Sequence, residues 1–150
     1  MGSERERGRL AWGGSSFSLW LPVEPRGQER VRFTRTGRAY TPAKTRAATD
    51  EIRELWAEAG SPEVGGEWFT AHVIADITKP ASSKHPFPPR PDADNIAKLV
   101  MDALQGHAFP NDSRCWQITA LKRWGDVPGI TVAFSWRNNG GGPSPQRTAP

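Results

Sequence analysis

Cysteine occurs once in the 150 residues, as Cys115, which rules out an internal disulfide framework and a Cys-based zinc site. No stretch approaches the roughly 20 consecutive apolar residues of a membrane-spanning helix. The first residues alternate in charge, Glu4-Arg5-Glu6-Arg7, and form no apolar signal core. A reducing, cytoplasmic setting without a membrane is the expectation. The nucleophile elbow Gly-x-Ser-x-Gly, the Walker loop and the dinucleotide fingerprint are also missing, so nothing points to acyl transfer, nucleotide hydrolysis or a small-molecule cofactor. His72, His85 and His107 do not share a metal-ligand spacing. His72 reads as a half-buried strand residue, and the other two as loop residues facing solvent or nucleic acid.

What is present is a local excess of positive charge. The net charge is +4. Residues 26–46 alone hold seven basic side chains (Arg26, Arg30, Arg32, Arg35, Arg38, Lys44, Arg46) against one acid, Glu29, which leaves the rest of the chain net acidic. A stripe of this kind is the footprint of a surface that tracks a phosphate backbone, although a merely solvated basic hairpin would look the same. Seven tryptophans are present, and Trp20, Trp56, Trp68, Trp116, Trp124 and Trp136 fall in strand or helix patterns, so core packing is the expectation for most of them.

The length suits one domain with a real core. Residues 1–16 are charged and then Gly/Ser-rich, and residues 137–150 carry no apolar pattern, so both are expected to be loose ends around a domain at 17–136. Alternation predicts a first strand at 17–23, and 30–33 with 38–41 flank Thr36-Gly37 as a basic hairpin. Thr41 as N-cap and Pro42 at the first helical position open a helix over 42–59, closed by Gly60-Ser61-Pro62. Its buried stripe is Ala48, Ile52, Leu55, Trp56 and Ala59, with Arg46, Asp50, Arg53 and Glu54 wet. A strand over 67–77 turns Phe69, Ala71, Val73, Ala75 and Ile77 to the core. Five prolines make 78–91 a loop, and a helix over 94–104 buries Ile96, Leu99, Val100, Ala103 and Leu104 before Gly106 stops it. Strands at 115–123 and 129–136 are expected to pair with each other, antiparallel, through Gly125-Asp126-Val127-Pro128.

The chemistry concentrates in Arg90-Pro91-Asp92-Ala93-Asp94-Asn95-Ile96-Ala97-Lys98. If Pro91 keeps Asp92 extended, Asp92 and Asp94 share a side and can face one hard cation, with Lys98 one helical turn further on. Each has a plainer reading. Asp92, Asp94 and Asn95 stand where helices want capping side chains, and Lys98 can simply pair with Asp102 at i, i+4. Asp112, in the turn after the helix, would be the third acid if the next strand runs alongside; alone it is an ordinary turn residue. Cys115 reads as a small buried hydrophobe.

The order of several segments resembles one family. The 90–98 string, Met101-Asp102-Ala103-Leu104 after it, and Asn111-Asp112-Ser113 after a short turn closely resemble the RusA-type Holliday-junction resolvases. Residues 37–46, Gly-Arg-Ala-Tyr-Thr-Pro-Ala-Lys-Thr-Arg, resemble the family's basic hairpin and helix start, so the likeness spans about 17–136. It implies a single α+β domain, a small mixed sheet packed by two helices, in a homodimer acting on branched DNA, four-way junctions above all. It also implies that Asp92, Asp94 and Asp112 hold Mg2+ (Mn2+ a possible substitute), and that Lys98 is the essential lysine. The expected DNA contacts are Arg30, Arg32, Arg35, Arg38, Lys44, Arg46, Lys84 and Arg90. Two departures stand out. Where the family often has a tight Lys-x-Arg-Pro-Arg type stretch, this chain has the longer 26–32 with an acid in it, and Asn111 replaces a second acid found in relatives. The competing readings are a branched-DNA-binding protein that does not cut, and a nuclease for flaps, forks or RNA.

Overall fold

The structure, a computed structural model, describes residues 14–137; the expected loose ends at 1–16 and 137–150 fall almost wholly outside that range. Six strands and two helices follow in the order β1 (Gly14–Leu21), β2 (Arg32–Phe33), β3 (Ala39–Tyr40), α1 (Ala43–Glu58), β4 (Phe69–Ile77), α2 (Ala93–Leu104), β5 (Cys115–Trp124) and β6 (Gly129–Arg137). Four strands form a mixed sheet in the order β1-β6-β4-β5, and β2 with β3 make a separate two-stranded ribbon. The α+β class and the small mixed sheet with two helices are therefore as expected.

Strand alternation builds the core. Phe69, Ala71, Val73 and Ala75 of β4, with Ile130, Val132 and Phe134 of β6, are buried on one face. Against them lie Ile52 and Trp56 of α1 and Ile96, Leu99, Val100 and Leu104 of α2. Aromatic rings fill one end: Trp56 and Phe134 meet edge to face at 6.0 Å, and Phe69 lies 4.9 Å from Phe109. Ring pairs of this geometry add roughly 0.5–1.5 kcal/mol each beyond the area they bury.

The expected pairing of the last two strands is not found. β6 pairs antiparallel with β1 and β4, while β5 pairs parallel with β4 on the outside. The β4-α2-β5 stretch is thus a crossover unit, and β4, the most apolar strand, is inserted between β5 and β6. Residues 125–128 need only cross about two strand spacings, roughly 10 Å, which four residues can do.

Four smaller expectations also change. Pro42, not Thr41, is the N-cap of α1, and no side chain caps that end. Ala59 is exposed. Arg53 is half-buried, and its Nε donates to Ala103 O at 2.9 Å, tying α1 to the last turn of α2. Of the described tryptophans, only Trp56 is fully buried; Trp20, Trp68 and Trp116 are exposed by 48%, 50% and 63%. Among the described residues no second layer covers the sheet face carrying Trp20, and Trp68 and Trp116 lie at strand ends. Arg114 instead stacks over Trp68 at 4.9 Å while pairing with Glu67 at 2.8 Å.

Candidate active site

Asp92 is the N-cap of α2, in extended conformation (φ −67°, ψ 138°), and its side chain makes no capping hydrogen bond. The helix is started by the backbone instead, Ile96 N–H donating to Asp92 O at 3.1 Å. The capping reading thus does not account for the Asp92 carboxylate. Asp94 lies in the first turn, and Asp94, Lys98 and Asp102 succeed one another turn by turn along the helix.

Asp94, Lys98 and Asp102 line a cavity of about 470 Å³ between α2 and the start of β5, together with Asp112, Cys115 and Ile118. Asp112 opens a short 3₁₀ turn, Asp112–Arg114, just ahead of β5. Its backbone is held by Gln105 Oε1, which accepts from Asp112 N–H at 3.1 Å. Asn111 caps the turn, its Oδ1 accepting from Ser113 N–H at 3.0 Å. The neighbour therefore does the capping and the Asp112 side chain is left over. Because β5 runs parallel to β4 beside α2, the turn after the helix comes back to the helix side.

Asp92 goes elsewhere. It lines a larger depression, about 840 Å³, with Arg26, Glu29, Lys44, Thr45, Arg90 and Asn95. This depression touches the first turns of both helices, where unpaired N–H groups favour negative charge. The loop that delivers Asp92 is fixed from β5: Lys122 Nζ donates to Pro89 O at 3.2 Å and Pro91 O at 3.0 Å, and Trp124 Nε1 donates to His85 O at 2.9 Å.

Among the described residues the carboxylates of Asp92, Asp94 and Asp112 take part in no hydrogen bond or ion pair, and Lys98 has no acidic partner within 4.0 Å. Of the two readings open for Lys98, the i, i+4 pair with Asp102 is not made; Gln28 Nε2 instead donates to Asp102 Oδ2 at 2.8 Å. Acceptor-only oxygens free of partners are the donor chemistry a hard cation takes. Among the described residues, no three His, Cys, Asp or Glu side chains are arranged to hold one ion as the structure stands. The donor set fits; the enclosing geometry is not preformed.

Of the expected DNA contacts, Lys44 and Arg90 line the larger depression. Arg30, Arg32, Arg35 and Arg38 belong to the exposed ribbon and its approach, with Arg32 3.9 Å from Glu29. Arg46 and Lys84 are solvent-accessible and line neither hollow. Cys115 is half-buried rather than buried. Burial pushes its thiol above the ordinary range, against a smaller lowering by the backbone groups of Gln117 and Ala71 that stabilise the thiolate. Sequence reading missed Asp102 as a wall of the acidic cavity, although its position one turn beyond Lys98 signals it. Arg26 was counted in the basic stripe but not among the expected DNA contacts, and Gln28 and Lys122 carried no local signal of their roles.

An α+β domain whose acidic, lysine-bearing cavity adjoins a cationic depression defines a protein suited to handling phosphodiesters. The chain belongs to the RusA endodeoxyribonuclease family, whose model matches residues 22–135. That places it among DNA-cutting enzymes of the Holliday-junction type. No curated protein matches the sequence. No helix among the described residues is long and apolar enough to cross a membrane.

Proposed function

We propose that this chain is a divalent-metal-dependent endonuclease that resolves four-way DNA junctions by paired phosphodiester hydrolysis, in recombination and repair. The observation that carries the reading is the cavity in which Asp94 and Asp112 stand uncommitted beside an unpaired Lys98, next to a depression bearing Arg26, Lys44 and Arg90. Asp92, Asp94 and Asp112 are the residues that would hold Mg2+, or Mn2+ in its place, which when bound supplies a Lewis acid for the scissile phosphate and a water of lowered pKa. Lys98 holds an ammonium outside any ion pair where negative charge builds on the phosphoryl oxygens. Arg26, Lys44 and Arg90 grip the backbone on the other side of the Asp92–Asp94 ridge, with the ribbon arginines reaching the arms. Contacts of this kind read the shape of the branch ahead of its bases. A homodimer would set two such sites on a two-fold substrate, which is what paired cuts on opposed strands require.

Purified protein incubated with a synthetic four-way junction under a Mg2+ and Mn2+ titration should give symmetric nicks in opposed strands. Binding without nicking under every divalent ion would establish the non-cutting alternative. Faster cleavage of flaps, forks or RNA hairpins on the same panel would move the substrate to those.

A further inference from the structure

Gln28 lies in the segment between β1 and the ribbon, and it is bound on two sides to the acidic helix. Its backbone N–H donates to Asn95 O at 3.1 Å, and its Nε2 donates to Asp102 Oδ2 at 2.8 Å. The next residue is tied to the other helix, Glu29 N–H donating to Thr45 Oγ1 at 3.3 Å. Gly27 is pressed against α2 closely enough that a Cβ there would lie 3.2 Å from Asn95 Cβ. The segment is thus a strap across the starts of α1 and α2. Asn95, Lys98 and Asp102 occupy one face of α2, and Gln28 holds the first and the last of the three. Lys98 stands between them.

Two features of the strap are unusual. Asp102, like Asp94, stands four residues from Lys98 and within reach of an i, i+4 pair, and its Oδ2 is taken by a neutral amide. The Oε1 of the same amide is buried and accepts no hydrogen bond from any described residue. Buried acceptors normally have a partner, and Lys98 carries three donors on the intervening helix position.

We propose that Gln28 is a positioning residue for Lys98: it draws Asp102 aside and offers the ammonium a neutral carbonyl, so that Lys98 is left out of an ion pair with Asp102 and open to a phosphate. A carboxylate partner would orient the same ammonium but cancel its charge. What the charge is used for rests on the proposed nuclease reading; the clasp does not.

Gln28→Glu is nearly isosteric, cannot donate to Asp102 when ionised, and places a negative charge beside Lys98. The full chain carrying Q28E should lose about tenfold in single-turnover cleavage of a four-way junction, with junction affinity within about twofold of wild type. Independently of DNA, acylation of the Lys98 amine by an amine-reactive ester, quantified by mass spectrometry, should slow by roughly threefold, because a nearby carboxylate holds the proton on the amine. Gln28→Leu, which frees Asp102 without adding charge, should shift both readouts the same way by less. Cleavage loss with unchanged Lys98 acylation in both variants would make Gln28 a plain structural strap and overturn the proposal, as would wild-type values throughout. A wild-type protein that cuts nothing, while its Lys98 acylation still responds to Q28E, would remove the nuclease reading and leave the clasp standing.

Discussion

The Lys122 ammonium donates to the carbonyl oxygen of Pro91 at 3.0 Å, so the strand that follows the acidic helix holds the loop that precedes it. The same ammonium reaches Pro89 O at 3.2 Å. Replacing it with the apolar Met should cost about 1–3 kcal/mol, because each bond has a charged donor and Lys122 is half-buried. Since the loop sets where Asp92 stands, cleavage should fall further than global stability explains. Thermal unfolding and single-turnover rates of Lys122→Met, compared side by side, check this.

The acids and the lysine should separate from the grip. Asp94→Asn and Asp112→Asn each remove an uncommitted carboxylate without touching a hydrogen bond, so junction binding should stay within about twofold while cleavage drops at least about 100-fold. Asp92→Asn should do the same to cleavage if its carboxylate turns over the ridge toward the other two. Lys98→Ala should also spare binding. Band-shift affinity and nicking rate on one junction decide each case.

Binding should carry a salt signature that maps to the larger depression. Neutralising Arg26, Lys44 or Arg90 singly should lower the magnitude of the log K against log salt slope by about 1 for each phosphate that the side chain neutralises in the wild-type complex. The same change at Glu51, exposed on α1, should leave the slope unaltered. Titrations between low and moderate salt give the slopes.

Cys115 reports on its half-buried place in the cavity wall. Its folded-state thiol titrates above the ordinary value near 8.5. The folded protein therefore binds that proton more tightly than the unfolded chain. The resulting stability is fully present below the unfolded-state value and is lost as pH rises through the raised one. Alkylation by iodoacetamide followed against pH should show a midpoint above that of a free cysteine, returning to the ordinary value in denaturant.

Two tryptophans should respond oppositely to truncation. Trp56 is 1% exposed and its Nε1 donates to Pro62 O at 3.0 Å, so Trp56→Ala should destabilise by about 3–5 kcal/mol. Trp116→Ala, at a site 63% exposed, should stay within roughly 0.5 kcal/mol. Urea denaturation midpoints measure both.

Local periodicity settled the elements of this protein. Helical spacing marked Ile52 with Trp56 and Ile96 with Val100, alternation marked Phe69 to Ala75, and all of these are buried. Gly106, at φ +82°, follows α2 where a left-handed residue is required. These are readable because an element's own period decides which of its side chains face inward. The acid and lysine motif was legible for the same reason, being contained in one loop and one helix.

Strand neighbours and partner choices were decided only by the tertiary structure. β5 and β6 look like a hairpin in sequence, yet the more apolar β4 gains burial by lying between them, and local pattern cannot weigh that gain. The exposed Trp20 reflects the lack of a second layer among the described residues, which no strand encodes within itself. Asp94 and Asp112 line one cavity because a parallel strand returns beside α2, while Asp92 is turned into a cationic hollow on the other side of the helix start. Whether Lys98 pairs with Asp102 was open in the sequence. In the fold Asp102 Oδ2 accepts from Gln28, seventy-four residues away, because a hydrogen bond across a fold competes with one along a helix only once packing brings its donor there.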